Sequence, residues 1–479
     1  MIALDGTAGI GDIVALADRR DRPALGPGAL DAVADAARAA DRVAEHTPVY
    51  GRSTGVGANR ATAVSSDSGH ALRLLRSHAV DAGPALPARA VRAMLAVRLN
   101  QLCLPGSGIA PEIVTGLLRM LEADALPEVR ALGSIGTGDL TALAGAALAL
   151  LGERPTSSPL PPMAPWGAGS ALAFVSSNAL TIGRACLAVD ELARLDRAAR
   201  VVFALSAVAL GAEPGALSIR AAEAAAAPGV VAVAEEVGGL LAGVADSGLL
   251  GARVQDPYGL RVFPHTQGAL AAARDALADR VSGLVRAGQE NPLFHAGSVV
   301  HHGGFFQAAL ALAAESALLA LAGTTATTLS RIRLLNEPEY TGARPFLATG
   351  PAGSSGLMMV EYVAASAIAE IRSSAQPASL GTVSLSRGTE DDAPFASQAV
   401  AQLERALPAY RVLLASELLG AGRALRQRER TAGHTGALGL AVAVVGTLPV
   451  DDSDRDLRPD LERAGAALEE LAALIGDRG

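Results

Sequence analysis

Long stretches of this chain read as apolar helix with almost no aromatic side chains to fill the space between them, and this limits the fold more than any motif does. Residues 171–212 and 216–248 carry apolar side chains at helical spacing, the second stretch interrupted at Pro228, and both are rich in alanine. Small side chains let helix axes approach closely. Further helical patterns cover 31–45, 72–81, 88–101, 111–121, 140–151, 305–331, 358–374, 397–430 and 458–475. Half of the residues are apolar and only 3% are aromatic, which favours packed helices over sheets. A chain of 479 residues has room for two or three ordinary domains or for one large helical one. The expectation is a mainly α chain, 1–479. It consists of an N-terminal loop-and-helix part over 1–165, a central bundle of long helices over 166–430 and a C-terminal helical part over 431–479.

Charge and composition then exclude several functions. A formal net charge of −8 leaves no basic footprint for nucleic acid, so the expected partner is a small molecule. Cys103 and Cys186 lie far apart in apolar runs and form no CxxC pair, which suggests neither a disulfide framework nor a zinc site. Buried free thiols in a reducing cytoplasm are expected. The N-terminus lacks the basic region and apolar core of a secretory signal. The apolar run 305–326 contains Gln307, Glu315, Ser316 and two threonines, and is read as a core helix rather than a membrane span. The chain contains no lysine, and pyridoxal phosphate needs a lysine Schiff base, so that cofactor is excluded.

Two glycine-rich loops carry the candidate chemistry. Leu132-Gly133-Ser134-Ile135-Gly136-Thr137-Gly138-Asp139-Leu140 reads as a tight turn feeding a buried helix, with Asp139 as its N-cap. The loop lacks the Gly-Lys-Ser/Thr of a phosphate-binding P-loop. Upstream, Val49-Tyr50-Gly51-Arg52-Ser53-Thr54-Gly55-Val56-Gly57 presents one tyrosine on a backbone suited to closing over a substrate. Further on, Gln255-Asp256-Pro257-Tyr258-Gly259-Leu260-Arg261 puts a tyrosine and an arginine three apart, able to converge on one ligand. The guanidinium of Arg261 has the planar fork that binds a carboxylate. His301 and His302 are adjacent, but sequence neighbours rarely point at one ion, and no metal is expected.

Taken together these stretches resemble the histidine and aromatic amino-acid ammonia-lyases, whose Gly-Ser-Val-Gly-Ala-Ser-Gly-Asp-Leu run carries a self-made electrophile, 4-methylidene-imidazol-5-one (MIO). The family's Tyr-Gly-x-x-Thr-Gly-x-Gly loop matches at Tyr50, and its Ser-His stretch matches at Ser77-His78. Its Gln-Asp-x-Tyr-Ser-Leu-Arg element matches from Gln255 to Arg261, and its Gln-Glu-Asp-His element matches around Glu390. Departures accompany the matches. The MIO run is one residue short, with Gly136-Thr137-Gly138 where Ala-Ser-Gly is expected. Ser176 stands at an asparagine position, Gly304 and Phe306 replace asparagine and histidine, and Asp392 replaces histidine.

The resemblance implies a large helical bundle of the ammonia-lyase type, assembled as a homotetramer with composite active sites, in the cytoplasm. It implies Tyr50, Tyr258 and Glu390 as catalytic residues, contributed by different chains, and His78, Ser176, Gln255, Arg261 and Phe306 as substrate-binding residues. As a base, Tyr50 needs its tyrosinate stabilised by helix ends and Arg261. The loop Gly136, Thr137, Gly138 leaves two chemistries open. It either cyclises, Thr137 giving an ethylidene in place of the methylidene, or it forms no electrophile. In the second case the site moves protons on an unsaturated or carbonyl-bearing substrate, for isomerisation, elimination or conjugate-addition cyclisation. The departures favour the second. An ammonia-lyase or aminomutase is the alternative, and a non-catalytic binding protein comes third.

Overall fold

A computed structural model describes residues 1–64, 68–244 and 247–476. The chain is mainly helical, as expected, and clusters into two compact units, each assembled from separated segments. The first comprises 1–190, 277–315 and 377–401, and the second 191–276, 316–376 and 402–479.

The centre of the first unit is the helix Ala88–Leu102, buried on every side from Ala90 onward. A helix without a solvent face must satisfy each polar side chain internally. Arg98 donates from Nε to the Phe174 carbonyl at 2.9 Å and from Nη1 to Glu290 at 2.8 Å, with both partners of that ion pair buried. Asn100 accepts from the Gly6 amide at 2.9 Å and donates to the Val285 carbonyl at 2.9 Å. Gln101 reaches the Leu284 carbonyl at 3.0 Å. The helix Ala179–Leu210 crosses this element at Gly183, where a β-carbon would come within 2.8 Å of the Ala93 and Met94 backbone, so only glycine permits the approach. Among the described residues, three two-stranded ladders complete the unit: Ile2–Leu4 parallel to Pro23–Leu25, Ala82–Ala85 antiparallel to Arg130–Leu132, and the hairpin Leu293–His295 with Ser298–Val300.

The second unit is organised around another buried ion pair. Arg331, on the helix Ala308–Leu335, donates to both carboxylate oxygens of Glu417 at 2.7 and 2.8 Å and to the Gly259 carbonyl at 2.9 Å. Its guanidinium also lies over Phe203 and Phe263, whose rings stack at 3.8 Å. The carbonyls that end the helix Ala179–Leu210 are taken up by arginines: Arg430 at Val208, Arg428 at Ala209 and Arg253 at Leu210. Positive side chains suit that end of a helix dipole.

The structure revises several boundaries. The apolar run 171–212 is two helices, Ser170–Val175 and Ala179–Leu210, broken at Ser176-Ser177-Asn178. The pattern over 216–248 divides likewise, with Pro228 opening the helix Pro228–Leu241 as its first residue, where a missing N–H does no harm. The helices Phe263–Val285 and Gly436–Val445 were not anticipated. Among the described residues, two stretches are long and apolar enough to cross a membrane. The apolar window within Ser170–Leu210 is 89% buried in the protein, whereas that within Ala308–Leu335 is only half buried.

Candidate active site

The loop between the strand Arg130–Leu132 and the helix Leu140–Leu150 lies at the base of a cleft of about 390 Å³ within the first unit. Gly136 and Gly138 have φ of +87° and +110°. A β-carbon on Gly136 would also come within 2.7 Å of the Ala396 nitrogen. Between them the half-buried Thr137 lines the cleft. The Gly136 carbonyl accepts from the Gln307 amide at 3.1 Å, and the Gly138 amide donates to Asn178 Oδ1 at 3.0 Å. Asn178 in turn donates through Nδ2 to the Phe305 carbonyl at 2.8 Å.

Asp139 occupies the N-cap position of the helix Leu140–Leu150, as expected, but its carboxylate does not cap that helix. It accepts instead from the Thr181 amide at 2.7 Å and the Thr181 hydroxyl at 2.9 Å, in the first turn of the helix Ala179–Leu210, and from the Ser134 hydroxyl. Burial raises the pKa of Asp139, against the pull of the Ser134 and Thr181 donors and the Arg184 charge. The break at Ser176-Ser177-Asn178 thus has a cause. Ser176 leaves helical geometry at ψ 70° and accepts from the Asn291 amide at 3.0 Å, while Asn178 turns its amide onto the loop. An amide is lost at position 176 but present two residues later, facing backbone rather than the cleft.

Tyr50 follows the helix Ala29–Ala44 and is held at both ends. Its backbone N–H donates to His301 Nε2 at 3.3 Å, and its phenol oxygen accepts from the Gly57 amide at 2.7 Å. Burial raises the phenol's pKa, Glu390 adds to the rise, and the Gly57 N–H and Arg60 oppose it. The segment carrying Glu390 is tied to the same loop. Ser386 Oγ accepts from the Ala58 amide at 2.9 Å, and Arg60 donates to Thr389 Oγ1 at 2.7 Å.

One chain therefore brings Tyr50, Thr137, Ser176, Phe306 and Glu390 to a single cleft. The expectation that Tyr50 and Glu390 come from different chains is corrected, since both line the cleft of one chain. His78 lies in the same unit but not on the cleft, and its Nδ1 meets the Leu74 carbonyl of its own helix at 2.8 Å. Gln255, Tyr258 and Arg261 belong to the second unit. Gln255 and Tyr258 are exposed there, and Arg261 lies over the Tyr258 ring at 4.6 Å. The raised pKa favours the neutral phenol of Tyr50. His302 uses both ring nitrogens, Nε2 with the Glu290 carbonyl at 2.8 Å and Nδ1 with the Gly304 amide at 2.9 Å.

Sequence reasoning missed Arg60, Phe305 and the role of Asn291, all of which line the cleft. Asn291 and Phe305 each gave a signal, in Glu290-Asn291-Pro292 and Gly304-Phe305-Phe306, which resemble the family's Asp-Asn-Pro and Asn-Phe-His elements. Arg60 lies just beyond the recognisable loop motif.

The residues present can be tested against a MIO group. Ring closure at Gly136-Thr137-Gly138 would consume the Gly138 N–H and leave the buried Asn178 Oδ1 without that donor, at a cost of about 1–3 kcal/mol. Dehydration of a threonine would also place a methyl on the electrophilic carbon. Both count against ring closure at this trio.

The family model for aromatic amino acid lyases matches residues 9–445. Histidine ammonia-lyase of Deinococcus radiodurans is 30% identical, over 96% of this chain and 92% of its own length. That of Symbiobacterium thermophilum is 32% identical, over 96% and 94%. The structure of Pantoea agglomerans phenylalanine aminomutase superposes with a TM-score of 0.91 over 99% of both chains at 21% identity, a likeness of fold. Given that match along nearly its whole length, the chain belongs to the aromatic amino acid lyase family.

Proposed function

We propose that this family member is a lyase or isomerase that works without a MIO group, moving protons on an unsaturated or carbonyl-bearing small molecule. The observation that carries the reading is the pairing of Tyr50 and Glu390 on one cleft beside a loop whose only central residue is Thr137. Tyr50 keeps its proton at neutral pH. Because its oxygen already accepts from the Gly57 N–H, the hydroxyl hydrogen is free to be given to substrate, and the same N–H steadies the negative charge left behind. Glu390, on the same wall, takes a proton from a carbon made acidic by the neighbouring carbonyl or double bond. Donation at one atom and removal at another is an isomerisation. Where the substrate carries its own nucleophile, the same pair closes a ring by conjugate addition. Phe305 and Phe306 limit water at the reacting atoms.

Assembly as a cytoplasmic homotetramer belongs to this proposal. It is supported by the exposed apolar side chains Leu312 and Leu319 on one helix and Met359, Tyr362 and Val363 on another, and by the exposure of Tyr258. In a tetramer, Tyr258 and Arg261 of one chain would complete the cleft of another.

The second reading is a histidine ammonia-lyase or aminomutase with a Thr137-derived electrophile. It is favoured by the 30–32% identity to histidine ammonia-lyases and by the Gln307 hydrogen bond polarising the Gly136 carbonyl. A single purified preparation separates the two. Intact mass should equal the unmodified sequence, and histidine, phenylalanine and tyrosine should release no ammonia. A mass short by two waters, with turnover near 1 per second or more, sinks the first reading. Light scattering of that preparation should give a tetramer, and a stable monomer would remove the composite site.

A further inference from the structure

Asn291 lines the cleft, and the direction of its amide is fixed from within the first unit. Its Oδ1 accepts from the His302 backbone N–H at 2.9 Å. A backbone N–H can only donate, so the oxygen must face it and the amino group must face away. His302 is itself pinned through both ring nitrogens, at the Glu290 carbonyl and the Gly304 amide, so that anchor is a firm one. Among the described residues the Asn291 amino group has no hydrogen-bond partner. Ser176 stands beside it, 7% exposed and on the same cleft. Its Oγ accepts from the Asn291 N–H at 3.0 Å, which turns the hydroxyl hydrogen elsewhere, and among the described residues that hydrogen has no acceptor. Two neutral donors with nothing to donate to therefore adjoin one another on the cleft wall, and leaving such groups unpaired is costly where water is scarce. Their orientation is set by these ties whatever another chain adds to the cleft.

We infer that Asn291 Nδ2 and the Ser176 hydroxyl form an oxyanion hole, and that the substrate carries a neutral carbonyl, as a ketone, ester or amide, at its reacting end. This rests on the cleft being the active site and narrows the substrate class proposed above. Neutral donors match an oxygen that is uncharged in the ground state and gains negative charge during reaction, whereas a carboxylate is best met by a charged partner. The amide absent from position 176 is thus supplied from position 291. Glu390 takes a proton from the carbon beside the carbonyl, the C–H electron pair becomes a carbon–carbon double bond, and the carbonyl π pair moves onto the oxygen held by Asn291 and Ser176. The enolate, conjugated with a neighbouring double bond, takes the Tyr50 proton at its far carbon as the charge on oxygen flows back. Proton exchange with solvent returns Glu390 to carboxylate and Tyr50 to phenol, so the net change is a moved double bond.

The test is binding of 4-phenyl-2-butanone, isotopically labelled at the carbonyl carbon, to the full-length protein, with 4-phenyl-2-butanol as the matched alcohol. On binding, the infrared band of the carbonyl should fall below its frequency in water. Asn291→Asp keeps an oxygen for the His302 N–H and removes only the donor, so the fold should survive. It should return the band toward its frequency in an apolar solvent and weaken the ketone about tenfold, the effect of one neutral hydrogen bond. The alcohol can donate to the added carboxylate and should keep its affinity, an exchange of preference that loosened packing alone does not produce. Ser176→Ala gives a second reading of the same band should Asn291→Asp fail to fold. No detectable binding of the ketone, a band unmoved from its place in water, or a band and affinity that both variants leave unchanged would each overturn the inference. Intact mass bears on the MIO-less reading alone, so a cyclised loop with an Asn291-dependent band would defeat that reading and leave this one standing. An unmodified mass with an unmoved band would do the opposite.

Discussion

Behind Thr137, Asp139 and Asn178 are fully buried, and each is tied to backbone or hydroxyl groups distant in sequence. Across the cleft, Arg60, Asp391 and Asp392 are exposed and make few bonds. The buried side holds the loop in place, and changing it should disturb the fold. The exposed side holds little in place and is free to vary with the ligand. Within one cleft, stability and specificity are thus assigned to different walls.

The strongest way to break that division is Asp139→Ala, which strips an acceptor from the Thr181 amide, the Thr181 hydroxyl and the Ser134 hydroxyl together. A loss of about 3 kcal/mol in urea unfolding is expected, and a loss below about 1 kcal/mol would contradict the structural role. Asp139→Asn sharpens the point through pH. Burial raises this carboxyl above its unfolded value, so the folded state binds the proton more tightly. The group's contribution is fullest below the unfolded pKa and is lost as pH rises through the folded pKa, and the asparagine should flatten that slope.

Tyr50→Phe should do the reverse, lowering turnover by about 100-fold or more while costing only about 1 kcal/mol of stability. A difference titration against this variant should place Tyr50 ionisation above the ordinary phenol value of about 10. Ionisation below it would return Tyr50 to the role of base. Smallest of all, Asp392→Asn should leave unfolding free energy within about 0.5 kcal/mol of the parent, since an exposed carboxylate with one local bond stabilises little. A larger loss would mean that the front wall also carries structure.

Much of the scaffold was legible because helical periodicity is local. The expected 358–374 coincides with the helix Met358–Ser374, and 88–101 and 111–121 fall short of the observed ends by one residue each. The break at Ser176-Ser177-Asn178 was not legible, because it is caused by partners at Asn291 and Gly138 that no local pattern reveals. Among site residues, Tyr50, Thr137, Ser176, Phe306 and Glu390 were found through short motifs and do meet at one cleft. Gln255, Tyr258 and Arg261 were grouped with them on the same resemblance and belong to the second unit. Arg60 went unnoticed because an arginine just past a glycine-rich loop looks like any solvated charge.

The carboxylate of Asp139 has one more consequence. By gripping the start of the helix Ala179–Leu210 rather than its own, it fastens the end of the loop to the scaffold from outside the turn. The turn therefore behaves as a socket whose rim is anchored independently of what is plugged into it. Whichever residue stands at position 137 is delivered to the same wall of the cleft. Such a site can exchange its central group across evolution, or at the bench, without rebuilding its surroundings.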